Sequence, residues 1–294
     1  LGGYYMNMKN KNLMEIHSAV FLFGLSGLFG KFLMLPSTII VLGRAFFSSI
    51  FLLILILYVK KELKLKKKKH YFYLIIMGVL LAIHWSTFFE SIQVSTVAIG
   101  LLTFSTFPVF VTFLEPFFLR ERLKLFDVLI AIVTLLGVML VIPKFQFGNS
   151  STKGVMWGIV SGFTYAILSM LNKRFVKEYS SIVIAFYEQS IATIVLIPFL
   201  FLNKPIFSLK DILVLVLLGI VFTGISHSLF INGLKNIKTQ TASIIASLEP
   251  VYGIVFAVFL LREIPTLREI LGGIIILSTV FYSTIKSSPK ELKR

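Results

Sequence analysis

Eight ionisable side chains stand at membrane depth, away from the very ends of stretches so apolar that they read as spans: Lys31, Arg44, His84, Glu90, Glu115, Glu188, His227 and Glu249. Charge in hydrocarbon is costly, so each is a candidate for function. Glu249 is the strongest. It stands mid-span beside Pro250, on a face with Ala242, Ala246 and Gly253, where small side chains leave room. A carboxylate there could hold a substrate ammonium group or another cation, or take up a proton. The competing reading is a neutral carboxylic acid bonded to a carbonyl that the proline frees. His84 and His227 are suited to a proton relay, since imidazole titrates near neutrality; a buried histidine satisfied by one hydrogen bond is the simpler alternative. Trp85 and Tyr165 lie well inside their spans, and Tyr252 follows Glu249 by three residues. They could wall an organic substrate or simply pack. Thr103 and Thr106, with Ser243 and Ser247, could line a polar path or bond carbonyls one turn back.

Depth separates a second group. At a rise of ~1.5 Å per residue, Lys31, Arg44 and Glu90 fall toward one end of their spans and Lys173, Glu188 and Asn232 toward the other. This placement predicts alternating gates, Arg44 or Lys31 pairing with Glu90 at one mouth and Glu188 with Lys173 at the other. A direct Arg44–Glu188 pair is disfavoured, because the two stand ~10 Å apart in depth on the same arithmetic. Lysines that merely snorkel to the interface are the bland alternative.

The elements that must position these groups are duplicated. Pro108, Arg120 and Glu121 recur as Pro250, Arg262 and Glu263, each 142 residues later. Ser105 and Ser247, Phe88 and Phe230, Asp127 and Glu269, and Lys31 and Lys173 keep the same offset. Hydrophobic residues make up 57% of the 294 and charged residues 14%, far below the ~25% charged of a soluble domain. The apolar runs give ten spans, over 14–34, 38–59, 71–92, 95–119, 126–143, 154–172, 181–202, 209–234, 240–261 and 267–286. The fold class is therefore an all-α polytopic membrane protein, with ten helices as two five-helix repeats over 1–146 and 147–294. An odd number of spans per half inverts one copy against the other. Gly154, Gly158, Gly162 and Ala166 mark a close-packing face on the sixth span, and Gly24, Gly27 and Gly30 mark one on the first.

The net charge of +16 raises nucleic acid as a partner, but its distribution argues against that. Twenty-one Lys and Arg fall on the side of the termini, seven of them in 60–69, and six on the opposite side. That asymmetry predicts both termini in the cytoplasm of a cell membrane, with the lysine run drawn to anionic lipid. Cysteine is absent and the four histidines are scattered, so thiolate and histidine metal sites and cofactors are not expected. No phosphate-binding glycine loop points to ATP.

Leu248-Glu249-Pro250-Val251 leading to Leu261-Arg262-Glu263, with the fainter echo Thr106-Phe107-Pro108-Val109 leading to Leu119-Arg120-Glu121, resembles the EamA-type branch of the drug/metabolite transporter superfamily. The resemblance spans essentially the whole chain. It implies alternating access, usually for export of amino acids or other small metabolites, around a cavity lined by the first, third, fourth, sixth, eighth and ninth spans. Phe107 stands where the second copy has Glu249, so the cavity is expected to be chemically asymmetric. Protons are a candidate coupling ion. A different class, a membrane enzyme acting on a lipid-linked substrate, would gather its polar groups at one interface; here they are spread over both depths.

Overall fold

A computed structural model describes residues 2–119, 125–141, 149–237, 242 and 245–287. Arg120, Glu121 and Ser243 lie outside the described residues, as do the side chains of Glu115 and Asp127 and the division at 146 and 147.

Every described element is helical. The order is α1 (Gly2–Ser26), α2 (Phe29–Phe32), α3 (Ser37–Tyr58), α4 (Lys68–Val94), α5 (Val97–Phe104), α6 (Phe107–Leu119), α7 (Leu125–Val141) and α8 (Ser150–Phe175). Then come α9 (Ser181–Leu196), α10 (Pro198–Asn203), α11 (Leu209–Gly219), a π-helical turn (Ile220–Ile225), α12 (Ser226–Gly233), α13 (Glu249–Leu261) and α14 (Leu267–Ser287). Seven of the resulting rods are long and apolar enough to cross a membrane, and α7 and α13 supply shorter apolar helices. Large hydrophobics such as Ile54, Phe72, Met139 and Phe259 point outward, which suits a lipid solvent.

Contacts come in pairs that the 142-residue offset interchanges. Helix α4 packs on α8 as α1 packs on α12; α5 packs on α8 as α1 packs on α13; α3 packs on α11 as α4 packs on α9. The pairs α3–α9, α7–α14 and α5–α13 map onto themselves. This is the pattern of a pseudo-twofold axis relating two interlocked, inverted five-helix units.

The two prolines break their spans outright. The expected mid-helix kink is instead a two-residue interruption, at Ser105–Thr106 and again at Ser247–Leu248, just before Pro108 and Pro250. Proline lacks the N–H that would continue the ladder, and its ring crowds the preceding turn. Local 3₁₀-type bonds rescue part of the loss in both copies, Thr106 N–H to Thr103 O at 3.2 Å and Leu248 N–H to Ile245 O at 3.0 Å. Two further interruptions need no proline: span one breaks after Ser26, and span eight carries the π turn.

Small residues let neighbours close on these breaks. The sixth-span stripe meets spans three and four, with Gly154 against Ser91 and Ser95, Gly158 against Thr103, and Gly162 against the Phe104 carbonyl. Gly24 lies against the Glu249 carbonyl, while Gly27 and Gly30 face Ile92 and Phe89. At the end of α13, Arg262 takes a left-handed conformation (φ 57°) that stops the helix. Glu263 then accepts the Val97 N–H at 3.0 Å, docking the Arg-Glu motif on the N-terminus of α5. Burial pushes the Glu263 carboxyl above its ordinary range, against the opposing pull of that N–H.

A side chain at Gly158 would overlap the Thr103 hydroxyl. We expect Gly158→Leu to cost about 1–3 kcal/mol through overpacking, read as a lower Tm for the protein in lipid nanodiscs.

Candidate functional site

Where the breaks converge lies an internal chamber lined by Phe23, Ser26, Arg44, His84, Trp85, Phe88, Phe104, Tyr165, His227 and Glu249. Ser26 is the last residue of α1, Phe104 the last of α5 and Glu249 the first of α13; His227 follows the π turn by two residues. Interrupted backbone inside a membrane survives only against protein or a cavity, so the breaks and the chamber belong together. Its free volume is about 30 Å³, room for a water or two but for no metabolite.

Arg44 forms the floor. Its Nε donates to Thr223 Oγ1 at 2.8 Å and its Nη2 to Phe222 O at 3.2 Å, both on the π turn. The guanidinium lies 4.2 Å from the Trp85 ring centroid and 5.2 Å from that of Phe89. In a desolvated setting the better of these contacts is worth ~2 kcal/mol. No carboxylate bonds to Arg44 among the described residues, yet it attracts Glu249 through space.

Glu249 is 5% exposed, and no described residue donates a hydrogen bond to its carboxyl group. An aromatic cluster shares the chamber: the His84 ring is 4.7 Å from Tyr165 and 5.3 Å from Phe104, and Tyr165 meets Phe107 edge-on at 5.0 Å. Ser161 holds His84 in place, its hydroxyl 2.8 Å and its carbonyl 3.1 Å from Nδ1. The His227 ring meets Trp85 edge-on at 5.6 Å, and its Nε2 lies 2.7 Å from Glu188 Oε2. Glu188 is fully buried behind His227, outside the chamber wall, and its Oε1 has no hydrogen-bond partner among the described residues.

Of the binding residues expected from sequence, Glu249, Trp85, His84, His227 and Tyr165 line the chamber and Tyr252, Thr103 and Ser247 do not. The Tyr252 ring turns to Phe21 at 5.4 Å. Thr103 bonds back to Ile99 O at 2.6 Å, the self-satisfied alternative. Ser247 sits buried in the span-nine break.

The expected gate pairs are not made in this state. Arg44 belongs to the chamber and Glu188 to His227. Glu90 accepts from Ser37 Oγ at 2.7 Å. Lys31 Nζ donates to Ser95 O at 2.7 Å and Gln93 O at 3.5 Å, at the C-terminal end of α4. Lys173 Nζ does the same at the end of α12, on Leu234 O and Ile237 O. Ser95 and Ile237 are 142 residues apart, as are the two lysines, so one clamp is built twice. Helix C-termini carry unpaired carbonyls and partial negative charge, and these outcompete carboxylates farther away.

Sequence reasoning missed Glu15. Its Oε2 accepts from Asn12 Nδ2 at 2.7 Å and from Asn232 Nδ2 at 2.8 Å, and Asn236 Nδ2 bonds Asn12 Oδ1 at 2.7 Å. This network joins spans one and eight at the lysine-rich end. The clue was an acidic residue at the inner edge of the first span.

A buried, closed chamber at the helix breaks of an inverted-repeat membrane protein is the architecture of a transporter. The chain belongs to the EamA-like transporter family, which matches it twice, over residues 13–142 and 152–285. An uncharacterized transporter, YxxF, of Bacillus subtilis is 27% identical over 96% of this chain and 92% of its own length. An S-adenosylmethionine uptake transporter of Rickettsia conorii is 25% identical over 75% of this chain and 74% of its own. A solved crystal structure shares the fold, with a TM-score of 0.70 at 16% identity over 97% of this chain and 99% of its own.

Each lysine clamp is a set of charge-assisted hydrogen bonds worth about 1.5–3 kcal/mol, roughly a tenfold shift in local opening or more. We expect Lys31→Met to speed amide exchange by that factor around Gln93–Ser95 alone, and Lys173→Met around Leu234–Ile237 alone, in hydrogen-exchange mass spectrometry.

Proposed function

We propose that this protein is a secondary transporter for small organic molecules bearing an ammonium group, with amino acids and their derivatives as the central class. The observation that carries the reading is Glu249, a buried acidic side chain lining the chamber with no hydrogen-bond donor among the described residues. An incoming ammonium group supplies the missing hydrogen bonds and charge. Arg44, in the same chamber lining and already anchored by the π turn, is placed to meet a carboxylate. Trp85, Tyr165, Phe88 and Phe104 give the apolar body of the substrate its contact surface. S-adenosylmethionine, the compound named for the Rickettsia relative, is itself an amino acid with an extra cationic centre, and fits the same chemistry.

The cycle rests on the two halves, 1–146 and 147–294, rocking about the chamber so that it opens to one side at a time. The clamp at Lys31 and the clamp at Lys173, together with the Glu15 network, close opposite mouths. Both clamps are made here, in keeping with a chamber too small for cargo. The excess of basic residues at the termini and in 60–69 supports an orientation with both termini in the cytoplasm of the cell membrane. Export is the expected direction from the family resemblance.

Counterflow in proteoliposomes tests the substrate class. Labelled amino acids or S-adenosylmethionine should accumulate transiently against an unlabelled load, whereas nucleosides should not. Glu249→Gln removes a buried charge contact worth about 2–5 kcal/mol and should lower the signal at least tenfold. Counterflow confined to compounds without an ammonium group, or unaltered in Glu249→Gln, would refute the assignment.

A further inference from the structure

We propose that Glu188 and His227 form a proton-carrying site that couples transport to a pH gradient, separate from the substrate carboxylate Glu249. This rests on the transporter reading and deepens it.

Three observations meet at this pair. Glu188 is entirely shielded from solvent, with one carboxylate oxygen 2.7 Å from His227 Nε2 and the other without a hydrogen-bond partner among the described residues. A buried acceptor left without a donor is rare and calls for a reason. His227 is the sole contact between that carboxylate and the chamber among the chamber-lining residues, since it alone both bonds Glu188 and lines the wall. Finally, His227 follows by two residues the π turn whose Thr223 and Phe222 are held by Arg44. Single π turns concentrate at functional sites in helices. Here the turn links the aim of His227 to the guanidinium expected to greet the substrate.

The charged and titratable groups around the pair are Arg44 on α3, His84 on α4, Tyr165 on α8 and Glu249 on α13. Arg44 brings one positive charge against two carboxylates, Glu188 and Glu249. One proton on His227 brings this buried set to neutrality, which a low-dielectric interior favours. The step is a simple one. His227 takes a proton from water on the side to which the chamber is open, Glu188 holds it as an imidazolium–carboxylate pair, and the proton leaves to the other side after the halves have rocked. Glu188 has no place in the chamber wall, so substrate contacts do not depend on it.

The test uses proteoliposomes with a pH difference of about one unit in either polarity, the membrane potential clamped, and a labelled mixture of the twenty amino acids with S-adenosylmethionine. A one-for-one coupling gives about tenfold accumulation per pH unit in one polarity. Glu188→Gln should abolish that accumulation while leaving exchange of the same labelled compounds, without a gradient, comparable to wild type. Wild-type exchange that no gradient of either polarity converts into accumulation overturns the proposal. So does a Glu188→Gln protein that still accumulates, or one that loses exchange together with accumulation. Absence of exchange in the wild type defeats the substrate reading instead, and this proposal with it.

Discussion

Backbone polar groups cannot go unpaired in hydrocarbon, and that constraint organises the molecule. A helix that breaks inside a bilayer must turn its exposed carbonyls and N–H groups toward protein or a cavity. Among the described residues five spans are interrupted, at Gly27–Leu28, Ser105–Thr106, Ile197, Ile220–Ile225 and Ser247–Leu248. The break at Ile197 lies at the outside of the molecule, but the other four adjoin residues that line the chamber: Ser26, Phe104, His227 and Glu249. Gly24 and Gly162 follow from the same demand, since a missing side chain lets their helices approach the backbone beside a break, at the Glu249 carbonyl and the Phe104 carbonyl.

Duplication gives the scaffold its symmetry, and substitution within the copies gives it chemistry. Glu249 corresponds to Phe107 and His227 to Trp85 across the 142-residue offset. In each pair one half contributes an ionisable group and the other an aromatic ring, and one of the pairs, His227 and Trp85, meets in the chamber wall at 5.6 Å. An inverted repeat thus builds two mouths from one plan while keeping a single polar centre. The lysine clamps on Ser95 and Ile237 show the converse, a structural device that both halves retain.

Helix content, span positions, the repeat and the importance of Pro108 and Pro250 were all legible in the sequence, because apolar run length and a fixed offset survive without any knowledge of packing. The ionisable residues were legible as a set, since their cost in hydrocarbon does not depend on partners. Their pairing was not. Lys31 and Lys173 satisfy themselves on helix-end carbonyls, which every residue possesses and no sequence pattern marks. Arg44 finds its acceptors on a π turn that the sequence of span eight does not announce. Depth arithmetic put Glu188 at a mouth, whereas its bond to His227 places it just behind the chamber wall. Glu15 escaped notice because it sits at a span edge, where a carboxylate ordinarily meets water.

The central claim is that this chamber opens to each side of the membrane in turn. The chain has no cysteine, so Ser26→Cys places a unique thiol in the chamber wall. Membrane-impermeant thiol reagents applied separately to each face of reconstituted, uniformly oriented protein measure its accessibility. Alternation predicts that the thiol reacts slowly from either face. Reaction from one face only, or from neither, would contradict the account.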